Sequence, residues 1–187
     1  MNTSNWTGRW QSIAKSMLAM LPLYASPTAA EPANDLSSFV ETYRCTVTEL
    51  LQRIHADPRQ DLSSRFLIID RADLPSSYVQ CAFDEGDRSM LCEAASGWFA
   101  GPGMGPVFSP AQKQALAHLG FAMNGPRENF RQWLQLAADP DLDAVAKLML
   151  TALYSGYGVR HDTVLTVTAP YAMPHGILER DGCIPIS

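Results

Sequence analysis

Four cysteines and four histidines are the side chains in this sequence best suited to nucleophilic or metal chemistry, and their spacing favours neither. Cys45, Cys81, Cys92 and Cys183 contain no Cys-x-x-Cys pair, so zinc-ribbon and thioredoxin-type chemistry have no scaffold. His55, His118, His161 and His175 are dispersed, and none sits at helical spacing from another His as zinc enzymes require. Cys92 and His118 are the one pair that could assemble a thiol nucleophile and its base in space, but no flanking motif supports it. Glu93, next to Cys92, alternates to the opposite sheet face and reads as a solvated or capping carboxylate, not a general base.

Two further patterns imitate ligand sites. Asp139, Asp141 and Asp143 alternate as calcium-loop ligands do, yet Pro140 is rigid, no glycine follows Asp143, and no glutamate closes the loop. Acidic residues in a helix's first turn complement its dipole instead. The stretch Gly101-Pro102-Gly103-Met104-Gly105 lacks the lysine and Ser/Thr of a phosphate loop, and reads as a flexible connector. Its neighbours are more informative. Trp98, Phe99 and Met104 lie in or beside a segment that cannot bury them through regular structure of its own, so they either fold back on the core or form a binding surface. They are the candidate partner-binding residues. No catalytic, cofactor-binding or metal-binding residue is assigned, and no cofactor is expected.

The elements that must position these residues can be read from periodicity. Leu36, Phe39, Val40, Tyr43, Val47, Leu50, Leu51 and Ile54 recur at the spacing of one helix face, from a cap at Asn34 or Asp35 to a stop before Pro58. Phe66–Ile69, Tyr78–Phe83 and Met90–Ala94 read as strands of an antiparallel meander, the last two joined by the acidic turn Asp84-Glu85-Gly86-Asp87. That turn places Cys81 opposite Cys92. Two small apolar side chains in a sheet is the preferred reading there, and a disulfide the alternative.

After the glycine-rich segment Gly97–Pro106, Ser109-Pro110-Ala111-Gln112 supplies a capping hydroxyl, a first-turn proline and the Gln of a capping box, with Gly120 as the stop. Asn124-Gly125-Pro126 is a turn. Asn129–Leu136 fits helix and strand about equally. A last helix is expected from an Asp139-Pro140 cap, burying Leu142, Val145, Met149, Ala152 and Leu153 and ending at Gly156 and Gly158. Val164–Val167 reads as a final strand. The expected fold is therefore α+β, an antiparallel β-meander packed against helices.

The expected organisation is a leader over 1–34, a domain over 35–169 and an irregular tail over 170–187. Three readings compete for Met1–Ala30: an amphipathic helix over Trp6–Leu21, a signal peptide with Arg9 and Lys15 before the apolar run Met17–Ala25, or a disordered leader. The chain of 187 residues is 47% hydrophobic and carries a formal charge of −5. That is enough apolar content for one core, and the anionic balance speaks against a nucleic-acid partner. No run approaches the 18 or so apolar residues of a membrane-spanning helix. A cytoplasmic location is expected, with export the alternative if Met1–Ala30 is a signal peptide.

The order of several short segments resembles a family. Tyr78-Val79-Gln80 opens a strand, Glu93-Ala94-Ala95-Ser96 closes the next, and Leu116-x-x-Leu119-Gly120-Phe121, Asn129-Phe130 and Tyr157-Gly158-Val159 follow. Over about Leu36–Thr168 this resembles the YbjN-type domains related to type III secretion chaperones, the TY-Chap domains. The resemblance implies a secretion-chaperone-like α/β sandwich, a chaperone-like or regulatory binding role without catalytic residues, and a strand opening at Asn129-Phe130. The chain departs from the pattern at Ser96-Gly97-Trp98-Phe99, where family members more often place Asn after Ser.

Three function classes follow. The leading one is a non-catalytic module that binds a protein partner or client. The second is a sensory or regulatory protein working through small-molecule binding or self-association as a homodimer. The third, a thiol enzyme, needs a cleft joining Cys92, His118 and a carboxylate.

Overall fold

The computed structural model describes residues 33–57, 62–101, 103, 105–170 and 172–180. The chain divides into two units, Met1–Ala30 and Glu31–Ser187, and the described residues belong to the second. The helix expected over Trp6–Leu21 lies outside them.

Helix α1, Ala33–Ala56, starts just ahead of the expected cap at Asn34 or Asp35 and buries Phe39, Val40, Tyr43, Val47, Leu50, Leu51 and Ile54 of the expected stripe, with Leu36 partly buried. Strands β1 (Phe66–Arg71), β2 (Tyr78–Phe83) and β3 (Ser89–Ala94) form the meander, followed by α2 (Pro110–His118), β4 (Phe130–Gln135), α3 (Leu142–Tyr157), β5 (Leu165–Ala169) and β6 (Met173–Ile177). The six strands make one antiparallel sheet in the order β4-β3-β2-β1-β5-β6. Burial alternates along β1, β2, β3 and β5, so one face of the sheet enters a core shared with α1, α2 and α3. The fold is α+β, as expected. None of the described helices is long and apolar enough to cross a membrane.

Local signals succeed where a cap or a period acts alone. The Ser109 side chain accepts from the Gln112 N–H while Gln112 reciprocates to the Ser109 backbone, closing the capping box. At Asn129–Leu136 the tie resolves to a strand. Phe130 is buried while Arg131, Trp133 and Gln135 point to solvent.

Four further expectations need correction. Cys81 and Cys92 are not two free apolar side chains: they form a disulfide, their Cα atoms 4.1 Å apart. Asp84 N–H donates to the Ser89 carbonyl and Ala95 N–H to that of Tyr78, so the alternation leaves Cys81 and Cys92 at a non-hydrogen-bonded pair. Such pairs approach more closely than their hydrogen-bonded neighbours, and this proximity permits the bond. Cys45 is disulfide-bonded as well.

The cap of α3 is Asp141, two residues later than expected, its carboxylate accepting from the Ala144 N–H. Gly156 does not end α3. It lies inside the helix, where an added Cβ would stand 2.7 Å from a Leu116 methyl, so the residue is a packing device between α3 and α2. Gly158, at φ 65°, is the true C-cap. Finally, the segment read as an irregular tail contains β6, the edge of the described sheet, which tolerates Pro174 and pairs with β5 through a register shift between Val167 and Ala169 of β5.

Candidate functional site

The disulfide leaves Cys92 no thiol to ionise, so the pairing with His118 does not form. Glu93 lies on the opposite sheet face and its carboxylate accepts from the Arg131 Nε at 2.8 Å. Asp141 and Asp143 are spent on α3, the first as its cap, the second between Arg44 and Lys147. Those cations hold the Asp143 carboxyl below its usual range, Lys147 first. Among the described residues no three His, Cys, Asp or Glu side chains gather as metal ligands do.

The short segments that carry the resemblance converge at one end of the sheet. Asn129, buried, accepts from the Ser96 N–H at 3.1 Å and donates to the Tyr78 hydroxyl at 3.2 Å. Tyr157, buried at the end of α3, donates its hydroxyl to the Ala95 carbonyl at 2.7 Å. Burial raises the pKa of both phenols, so both stay neutral and keep their protons to donate. Phe108 closes the knot by packing edge-on against Phe130 and Tyr157, with ring centroids 5.4 and 5.3 Å away.

This knot fixes where the glycine-rich segment leaves and rejoins the core. An added Cβ on Gly97, at φ 80°, would lie 2.8 Å from Pro106, and one on Gly105 would lie 2.6 Å from the Gly97 backbone. Two glycines thus let the ends of the loop touch. Between them, the described residues of the expected connector include a 3₁₀ turn, Trp98–Ala100.

The loop, α2 and the turn before β4 enclose an open groove of about 650 Å³ lined mainly by apolar side chains: Trp98, Val107, Phe108, Met123, Pro126 and Phe130, with Lys113 as its charged member. Of the expected binding residues, Trp98 lines the groove and is 50% exposed, while Phe99 is 71% exposed and does not line it. Met104 lies outside the described residues. Phe108, Lys113, Met123 and Arg127 escaped the sequence reading, because they come from three segments that only the fold brings together. The guanidinium of Arg127 sits 5.2 Å over the Trp98 ring, a cation–π contact that orients the indole.

A second feature begins at Phe130. Arg131 exchanges both backbone hydrogen bonds with Ala122, whereas Leu136 N–H donates inward to the Arg88 carbonyl. By the two-residue alternation, the N–H and C=O of Trp133 and Gln135 point outward from the edge of the sheet. Beside this edge a smaller hollow of about 310 Å³ is lined by residues including Leu134, Leu136, Val145 and Leu148.

The sheet face opposite the helices carries a transverse row Phe66, Ala82, Leu91 and Trp133, each opposite the next, with Trp133 58% exposed. Asp70 shares this face. Burial raises its carboxyl pKa, and the charge of nearby His175 only partly offsets this. A carboxyl raised on folding contributes stability that is present below its unfolded range and lost as pH rises through its folded value. Asp70→Asn is therefore expected to raise the urea midpoint at neutral pH, with the advantage disappearing in acid. An advantage that persists unchanged into acid would separate the gain from ionisation of this group.

Compared with known proteins, residues 41–171 match the family TY-Chap3, described as "T3SS (YopN, CesT) and YbjN peptide-binding chaperone 3". No curated protein and no solved structure matches.

Proposed function

We propose that this chain, which belongs to the TY-Chap3 family, is a non-catalytic module holding an extended segment of a client polypeptide in the groove beneath Trp98. The observation that carries the reading is the groove itself: concave, largely apolar and edged by an exposed indole. Aromatic and methionine side chains on such a surface supply contact area that adapts to varied sequences. The β4 edge supports the same reading. Phe130 in the groove and Trp133 at the open edge belong to one strand, about 10 Å apart at ordinary strand rise. A segment seated on Phe130 is within reach of backbone donors and acceptors that can pair it as an added strand.

Trp98→Ser is expected to abolish binding to an array of apolar extended peptides while shifting the melting temperature little, because half of the indole is already in solvent. Phe99→Ser, outside the groove, is expected to leave binding nearly unchanged. A large fall in melting temperature for Trp98→Ser would assign the indole to the core and remove it from the site.

The disulfides bear on where this happens. A bridge between Cys81 and Cys92 and a bonded Cys45 belong to an oxidising compartment. They support export, with Met1–Ala30 read as a signal peptide, over the cytoplasmic expectation. The intact mass of the native product is expected to lack about the first thirty residues, the length of a secretory signal, and to show no free thiol. A full-length product with reducible, alkylatable cysteines would restore the cytoplasmic assignment.

A further inference from the structure

Resting on that reading of the groove, we propose that the bound segment is acidic as well as apolar. Its bulky side chain packs against Trp98, Phe108 and Met123, and an Asp or Glu beside it in the same segment is held by Lys113 and Arg127.

The charge pattern argues for this. The protein carries a formal charge of −5, yet among the described residues the groove lining includes Lys113 and no carboxylate. Arg127 adds a second cation at the rim through its stack on Trp98. Six other basic side chains, Arg44, Arg53, Arg65, Arg71, Arg131 and Lys147, each contact a carboxylate. Among the described residues neither Lys113 nor Arg127 makes such a pair. The nearby acids do not fill the role, since Glu93 is held by Arg131 and Glu128 lies by Gly125 and does not line the groove. Two uncompensated cations beside an apolar hollow in an anionic protein form a positive island. A carboxylate docked there is partly shielded from water by the groove wall, where charge-assisted hydrogen bonds are stronger than in bulk solvent.

The test uses the full chain and three blocked peptides sharing one Leu/Phe core, flanked by Glu, by its isostere Gln, or by Lys, with binding read by fluorescence anisotropy. The Glu peptide is expected to bind about five- to tenfold tighter than the Gln peptide, a preference that shrinks as salt screens it. The Lys peptide is expected to bind more weakly than either. Lys113→Glu combined with Arg127→Glu, both at exposed positions, is expected to invert the order with the melting temperature kept. Equal affinity for the Glu and Gln peptides, or an order unmoved by charge reversal, overturns the proposal while leaving the apolar groove intact. Failure of all three peptides to bind overturns the groove reading itself. A Gln peptide with a free C-terminus that matches the Glu peptide would show that the cations read a chain end, and would overturn the assignment to an internal acidic side chain.

Discussion

Replacing Asp87 with alanine is expected to lower the unfolding free energy by about 3–5 kcal/mol, the cost of leaving a buried charge without its partner. The charge is that of Arg65, whose side chain is only 1% exposed. Its guanidinium faces Asp87 with both terminal nitrogens, Nη1 at 2.6 Å and Nη2 at 2.9 Å from the two carboxylate oxygens. It also donates to the His55 carbonyl at the end of α1 and lies 5.3 Å from the Phe83 ring centroid. One side chain thus ties a helix end, the start of β1 and the β2–β3 turn. Asp87 stands at φ 53°, which alanine tolerates less well than asparagine. Asp87→Asn keeps the backbone preference and isolates the charge, so its loss should be smaller but still clear. Arg65→Met on the Asp87→Ala background is expected to recover part of the loss by removing the stranded cation. Urea melts of the three variants test this, and an Asp87→Ala loss below about 1 kcal/mol, typical of exposed pairs, would mean that the pair behaves as a surface one.

Leu50→Ala is expected to cost about 2–5 kcal/mol, the range for truncating a buried leucine where surroundings relax only partly. Leu50 is buried in the middle of the α1 stripe, with Leu51 and Val47 beside it and Ile54 one turn on. Gln52, two residues away on the exposed side, should change stability by no more than about 0.5 kcal/mol when replaced by Ala. Equal shifts for the two would mean that α1 presents a different face to the core.

That helix was legible because one period governs 24 residues and no neighbour contradicts it. The capping box at Ser109 was legible for a similar reason: its chemistry is complete within four positions. Where two local signals compete, tertiary packing decides. Asp139 and Asp141 are both capable caps, and the burial phase of Leu142 and Val145 selects the later one. Gly156 has a terminator's composition but a spacer's job, which shows only once Leu116 is set against it. The cysteine pairing turned on strand register, since facing positions alternate between wide and narrow pairs and the sequence alone does not say which. At the groove, Trp98 could be singled out because a Gly/Pro-rich neighbourhood cannot hide an indole. Lys113 and Arg127 could not, since a surface cation acquires meaning only from what it faces.

The two borders of the sheet are unlike, and this governs how copies of the chain can aggregate. β4 presents the outward backbone of Trp133 and Gln135 without a proline or bulge, whereas β6 has Pro174, which lacks a donor, and a register shift against β5. Prolines and bulges are the means by which sheets blunt a border against further strands. If two copies meet along β4 they do so like to like about a twofold axis, and both blunted borders are left outermost. Among the described strands, growth beyond such a pair then meets only blunted borders, which disfavours a ribbon of repeating copies.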